Sequence, residues 1–315
     1  MTTNNLTQNG RLAAHTGWDV SGVDVGVIGV TAPARPRCPQ GTRAQGVERW
    51  VWTAMEDYAA LVRDRTALRA GCLCLARGGA DTMAARIAGL PARVSVVFVV
   101  GMGASESACV QFKTASLGGP LVISEADVLT AALGAAAIST LRCRGVTLRR
   151  GQIVVSNPKV LPRLGPLLLT AGVETLTTWN ERDAQDYSLR ALMAHHDILI
   201  DLAGTAPDTA AAERTLTLPR EPFDYGALVL PGLLSALCAH NAASLTIDVL
   251  AACARALARL TPPDHILPAL TEPLQVSAVA KEVAMTLGEH PPHRRRASTP
   301  PHPNTQHQQP EGQPS

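Results

Sequence analysis

At 315 residues, with 46% hydrophobic and 17% charged residues, the chain is long enough to bury one or two globular cores and reads as a soluble protein. A formal net charge of +2, part of it in the run Arg294-Arg295-Arg296, and an aromatic content of 3% exclude the basic faces and stacking platforms of nucleic-acid binders. No apolar run reaches the ~20 residues of a membrane span and MTTNNLTQNGRLAAH lacks the apolar core of a signal peptide, so no membrane partner and a cytoplasmic location are expected.

Val23 to Val30 can form one strand, ahead of the proline-rich loop TAPARPRCPQGT. From Val47 to Leu68, Val51, Met55, Tyr58, Leu61 and Val62 fall at amphipathic helical spacing. Cys72 to Ala76 reads as a brief strand, Thr82 to Ile87 as a short helix and Arg93 to Val100 as a buried strand. Gly101-Met102-Gly103 lacks the third glycine of a dinucleotide turn and reads as a plain strand-to-helix turn. Ser124 then caps a long helix, SEADVLTAALGAAAISTLRCRG, with Asp127 as its reciprocal partner, so helix-start electrostatics account for Glu125 and Asp127. Seven cysteines form no CxxC pair. Cys72 and Cys74 share a strand face and read as reduced thiols filling core space, with a metal or redox pair as the alternative.

The segment from Gly151 to Asp183 organises the rest. Gln152 to Ser156 is a buried strand, Leu161, Leu164, Leu167, Leu168 and Ala171 lie at helical spacing, Gly172 supplies a left-handed stop, and Thr175 to Trp179 is a second strand. Such a βαβ unit binds dinucleotides at the turn after its first strand. Here that turn, Ser156-Asn157-Pro158-Lys159-Val160-Leu161-Pro162, has no glycine, and its two prolines lack N–H donors. Lys159 could meet a phosphate as a point charge, Arg182 a 2′-phosphate, and Glu181 or Asp183 a ribose hydroxyl; each also reads as an ordinary surface charge. Ser156, Asn157 and the loop residues Gly204 and Thr205, at the end of the later strand Asp197 to Leu202, complete the candidate cofactor-binding set. Between these strands a helix through Leu189, Leu192 and Met193 ends at His195 and His196, which suit a helix C-terminus. A turn-rich segment, LPREPFDYG, leads to a helix beginning near Pro231-Gly232; a helix with Ile247, Leu250 and Leu257 stops before Pro262-Pro263, and Val276 to Leu287 is the last. Beyond Glu289 the Pro, His and Gln content predicts disorder.

In this order the segments from about Pro91 to Leu287 resemble the malic enzymes, through PLVISEADVLTAALGAAAISTLRCRG, QIVVSN followed by LGPLLLTAGV, DILIDLAGTAPD and the ending YGALVLPGLLSAL to PDHILPAL. The resemblance implies an α/β fold with a doubly wound, mostly parallel Rossmann-like sheet, a smaller divergent N-terminal α/β region over 1–90, the NAD(P)-binding domain with C-terminal helices over 91–288, and a tail over 289–315. It also implies NAD or NADP, a divalent metal such as Mg or Mn, and a dinucleotide or small carboxylic acid as ligand. The family's metal turn falls on Ser124 to Asp127 with Ala126 at the ligand position, leaving Glu106, Glu125 and Asp127 as metal candidates, with Asp201 a further one. The family's lysine is absent from Gly89 to Val96, where Arg93 cannot act as a base, and its substrate asparagines are absent from Pro222 to Gly226. No catalytic residue is therefore assigned. These departures imply a degenerate binding or regulatory subunit; the alternatives are an active NAD(P)-dependent oxidoreductase on a malate-like or divergent 2-hydroxy acid, and a structural partner of an active paralogue. A homo-oligomer, or a hetero-oligomer with a paralogue, is expected.

Overall fold

Short β-branched runs have to pair somewhere, and in the computed structural model, which describes residues 24–31, 42–204 and 212–289, they form two four-stranded sheets. The first contains β1 (Val25–Thr31), β2 (Ala70–Ala76), β3 (Val96–Val100) and β4 (Leu121–Ser124), in the order β2-β1-β3-β4. The second contains β5 (Gln152–Ser156), β6 (Thr175–Trp179), β7 (Ile198–Asp201) and β8 (Thr215–Thr217), in the order β6-β5-β7-β8. Every pairing is parallel. The winding is the same in both: it reverses between the first and third strands, which opens a crevice beyond their C-terminal ends. The expected doubly wound architecture is thus present twice. Because β1 pairs with β3, strand hydrogen bonding runs across residue 90.

Parallel neighbours need crossovers, and α1 (Thr42–Arg65), α2 (Ala80–Ala88) and α3 (Ala104–Ser116) supply them in the first sheet, α5 (Leu164–Ala171) and α6 (Leu189–Met193) in the second. Gly172 ends α5 at φ 107, the left-handed stop read from the sequence. His196, just after α6, bonds the Leu192 carbonyl at 2.7 Å and Thr177 Oγ1 at 2.9 Å, so it satisfies the helix end. Cys72 and Cys74 are only partly buried, because β2 is an edge strand, while Cys253 is fully buried; burial pushes the Cys74 thiol up to about 11 and the Cys253 thiol to about 12.

The helix α4 (Glu125–Cys143) joins the sheets and is apolar on all sides because it is covered on all sides, by α5, α7 (Pro222–Ala239) and α8 (Ile247–Leu260) as well as strands of both sheets. By length and composition α4 and α7 would each span a bilayer, yet 72% and 61% of their apolar windows are buried inside the protein. They are core helices.

One boundary departs from the expectation. The helix predicted to begin near Pro231 begins nine residues earlier, at Pro222, and runs through Pro231. Proline lacks the N–H that would bond the carbonyl of Ala227, four residues back. The buried side chain of Gln275, opening α9 (Gln275–Glu289), fills the gap: its Nε2 donates to Ala227 O at 3.2 Å and to Leu228 O at 2.6 Å. At the next residue Gly232 allows the close approach, since a Cβ there would lie 2.7 Å from the Val276 carbonyl.

Candidate functional site

The crevice of the second sheet holds a cavity of about 520 Å³, within the usual range of small-molecule sites. Its wall includes Asn157 and Lys159 after β5, Glu181, Arg182 and Asp183 after β6, and Ala203 after β7. Five of the candidate cofactor residues are therefore brought together from two loops more than twenty positions apart. Ser156 lies fully buried beneath them. Its hydroxyl donates to the buried Asp201 Oδ1 at 2.6 Å and accepts from Leu202 N at 3.0 Å, which ties the ends of β5 and β7 together. Asp183 turns back on its own loop, where Oδ2 accepts from Asn180 N at 2.8 Å. Gly204 is exposed one position beyond Ala203, outside the cavity wall, and Thr205 lies outside the described residues.

The turn after β5 is poor in free donors. Asn157 N donates to Trp179 O at 2.8 Å and Val160 N to Asn157 O at 3.1 Å, while Pro158 and Pro162 have no N–H. A diphosphate seat of the dinucleotide kind, built from turn amides, would have to do without these four positions.

The metal candidates do not converge. Glu106 pairs with Arg77 at 3.5 Å. Glu125 Oε2 accepts from Gly101 N at 3.0 Å. Asp127 receives Ser124 N and Ser124 Oγ at 2.8 Å and Gln111 Nε2 at 2.6 Å on Oδ2, and Arg163 Nη1 at 2.8 Å on Oδ1. Among the described residues no three His, Cys, Asp or Glu side chains come together as a metal site. A divalent cation at Asp127 would have to displace a guanidinium that already supplies the positive charge.

Sequence reasoning did not single out Tyr58, which belongs to the amphipathic stripe of α1. It is fully buried, edge-on to Phe98 with ring centres 4.7 Å apart, and Gly226 of α7 sits against its hydroxyl. Burial raises its phenol well above the ordinary range, and the charge of Glu125 adds to the shift. Burial likewise raises the Glu125 carboxyl, against the pull of the Gly101 N–H and the Tyr58 hydroxyl. The one signal in the sequence was Glu125 itself, an acid at the end of an apolar strand. Both side chains are buried, so the pair bears on stability.

At the level of sequence, no family model and no curated protein matches the chain. Solved structures do. The malic enzyme of Entamoeba histolytica superposes with a TM-score of 0.65 at 15% identity, over 90% of this chain and 73% of that one. The NAD-dependent malic enzyme of Thermotoga maritima gives 0.65 at 13% identity, over 90% and 91%, and the malic enzyme of Pyrococcus horikoshii 0.63 at 12%, over 91% and 82%. Coverage this wide takes in much of the region before Pro91, which the sequence had left unmatched. Identities this low carry the backbone and not the chemistry. The chain has the fold of the malic enzymes, as the order of its segments implied.

Proposed function

We propose that the protein is a ligand-binding or regulatory member of this fold that does not carry out metal-assisted oxidative decarboxylation of malate, and that its ligand occupies the cavity beyond β5, β6 and β7. The supporting observation is Asp127, whose two oxygens are engaged by four protein donors, one of them the Arg163 guanidinium. Metal-assisted decarboxylation needs a cation free to polarise the substrate. An arginine held by a buried carboxylate supplies fixed charge but no open coordination position. A second reading, an NAD(P)-dependent oxidoreductase on a malate-like 2-hydroxy acid, draws on Glu181 and Arg182, which follow β6 where a dinucleotide-binding sheet makes its ribose contacts.

The test is a malate turnover assay with NAD⁺ and NADP⁺, with and without Mn²⁺, run beside a thermal-shift panel of phosphorylated and dinucleotide ligands. Saturable ligand binding without turnover is the expected result. Mn²⁺-dependent reduction of either dinucleotide by malate would overturn the proposal in favour of the second reading.

A further inference from the structure

The cavity beyond β5 retains the outline of a dinucleotide site, while bonded amides and prolines interrupt the run of turn N–H groups that would hold a diphosphate. Three N–H groups of the turn, those of Asn157, Val160 and Leu164, are bonded within the protein, and prolines occupy two more positions. Asn157 stands at φ 46, so a side chain occupies a left-handed position that a phosphate turn leaves to glycine. Below the turn, the Ser156 hydroxyl donates to the buried Asp201 Oδ1 at 2.6 Å, so it too is engaged within the protein. Positive charge is found instead on side chains. Lys159 and Arg182 are exposed on two different loops of the same wall, and among the described residues neither has an ion-pair partner. Glu181, beside Arg182, is likewise open to the cavity.

We infer that this cavity selects a sugar phosphomonoester, with the phosphate gripped by Lys159 and Arg182 and the sugar hydroxyls donating to Glu181, and that it disfavours diphosphate-linked dinucleotides. The inference rests on the ligand-binding reading above and specifies its ligand. Side-chain cations meet a terminal phosphate with charge-assisted hydrogen bonds from outside the turn, whereas a bridging diphosphate is seated by successive turn amides, and here bonded amides and prolines interrupt that run. The monoester could be a free sugar phosphate or part of a nucleoside monophosphate.

Calorimetric titration of the full chain with ribose 5-phosphate, AMP, adenosine, inorganic phosphate, ADP-ribose and NAD⁺ separates these cases. At least one monoester should bind about tenfold or more tighter than adenosine, inorganic phosphate, ADP-ribose and NAD⁺, a gap of roughly 1.4 kcal/mol. Equal affinity for ribose 5-phosphate and AMP would identify the sugar phosphate as the recognised unit; a clear preference for AMP would identify the nucleotide. Lys159→Ala and Arg182→Ala should each weaken monoester binding at least fivefold while leaving the melting temperature of the unliganded protein unchanged. Tighter binding of ADP-ribose or NAD⁺ than of either monoester, or equal binding of adenosine and AMP, overturns the inference but leaves the cavity as a ligand site. Wild-type affinity in both variants overturns it too. Absence of binding by every compound overturns the inference and the proposed ligand-binding role together.

Discussion

Pro231 inside a buried helix makes a prediction that can be worked from the structure. Gln275→Leu removes the amide that donates to Ala227 O and Leu228 O from a residue only 2% exposed. Because Pro231 offers Ala227 no N–H, that carbonyl becomes a buried orphan, at a cost of about 1–3 kcal/mol. Part of this is offset, since Gln275 Oε1 is itself buried without a partner and leucine removes it, recovering about 1 kcal/mol. The expected net loss is about 0–2 kcal/mol, or up to roughly 8 °C in melting temperature for a protein of this size. Pro231→Ala restores the backbone donor, so Gln275→Leu should cost about 1 kcal/mol less in that background. Urea unfolding of the four proteins in the cycle measures the coupling. Equal costs in the two backgrounds would refute the account of Gln275 as the substitute donor.

The remaining predictions concern the core beneath the site. In Gly226→Ala the new Cβ would lie 2.5 Å from the Tyr58 hydroxyl, and the ring is held by Phe98 and Phe223, so overpacking of about 1–3 kcal/mol should outweigh the ~1 kcal/mol helix preference of alanine; a raised denaturation midpoint would contradict this. The raised Glu125 carboxyl means the folded state holds its proton more tightly than the unfolded state, so this group's contribution is fully present below its ordinary value near 4.5 and is lost as pH rises through the raised one. Glu125→Gln, which can still accept from Gly101 N, should therefore flatten the decline in stability above that pH and be the more stable protein at pH 7; thermal melts from pH 4 to 8 that superimpose on wild type would exclude it. Arg163→Met breaks an ion pair in which the Asp127 side chain is 4% and the arginine 35% exposed. The 3–5 kcal/mol of a fully buried pair reduces to about 1–2 here, because the guanidinium is partly solvated and Asp127 keeps its Ser124 and Gln111 donors. A cost near zero in chemical denaturation would show that Arg163 does not compensate Asp127.

Much of the fold could be read along the chain because its determinants are local. The strands Gln152–Ser156 and Thr175–Trp179 and the glycine stop between them follow from β-branched runs and a residue free to adopt positive φ. The Ser124–Asp127 start of α4 follows from capping chemistry three residues apart. Where a neighbour from a distant segment decides, local reasoning failed. Pro231 marks a helix start in an isolated sequence, and only α9, with Gln275 pressed against it, lets the helix continue. β4 is too short to stand out beside the helix it feeds, and becomes a strand because β3 lies alongside to pair with it.

For the site, the sequence by itself determined which side chains were at hand: a glycine-free turn with two prolines, Lys159, and the Glu181-Arg182-Asp183 run. Covalent order and side-chain chemistry suffice for that. Only the tertiary structure decided which of them meet. Parallel pairing of β5 with β6 and β7 sets Lys159 and Arg182 on one cavity wall, and α5 packing brings Arg163 to Asp127, thirty-six positions away. Contacts across such separations depend on the burial of apolar faces far from the residues concerned, and no local pattern records them.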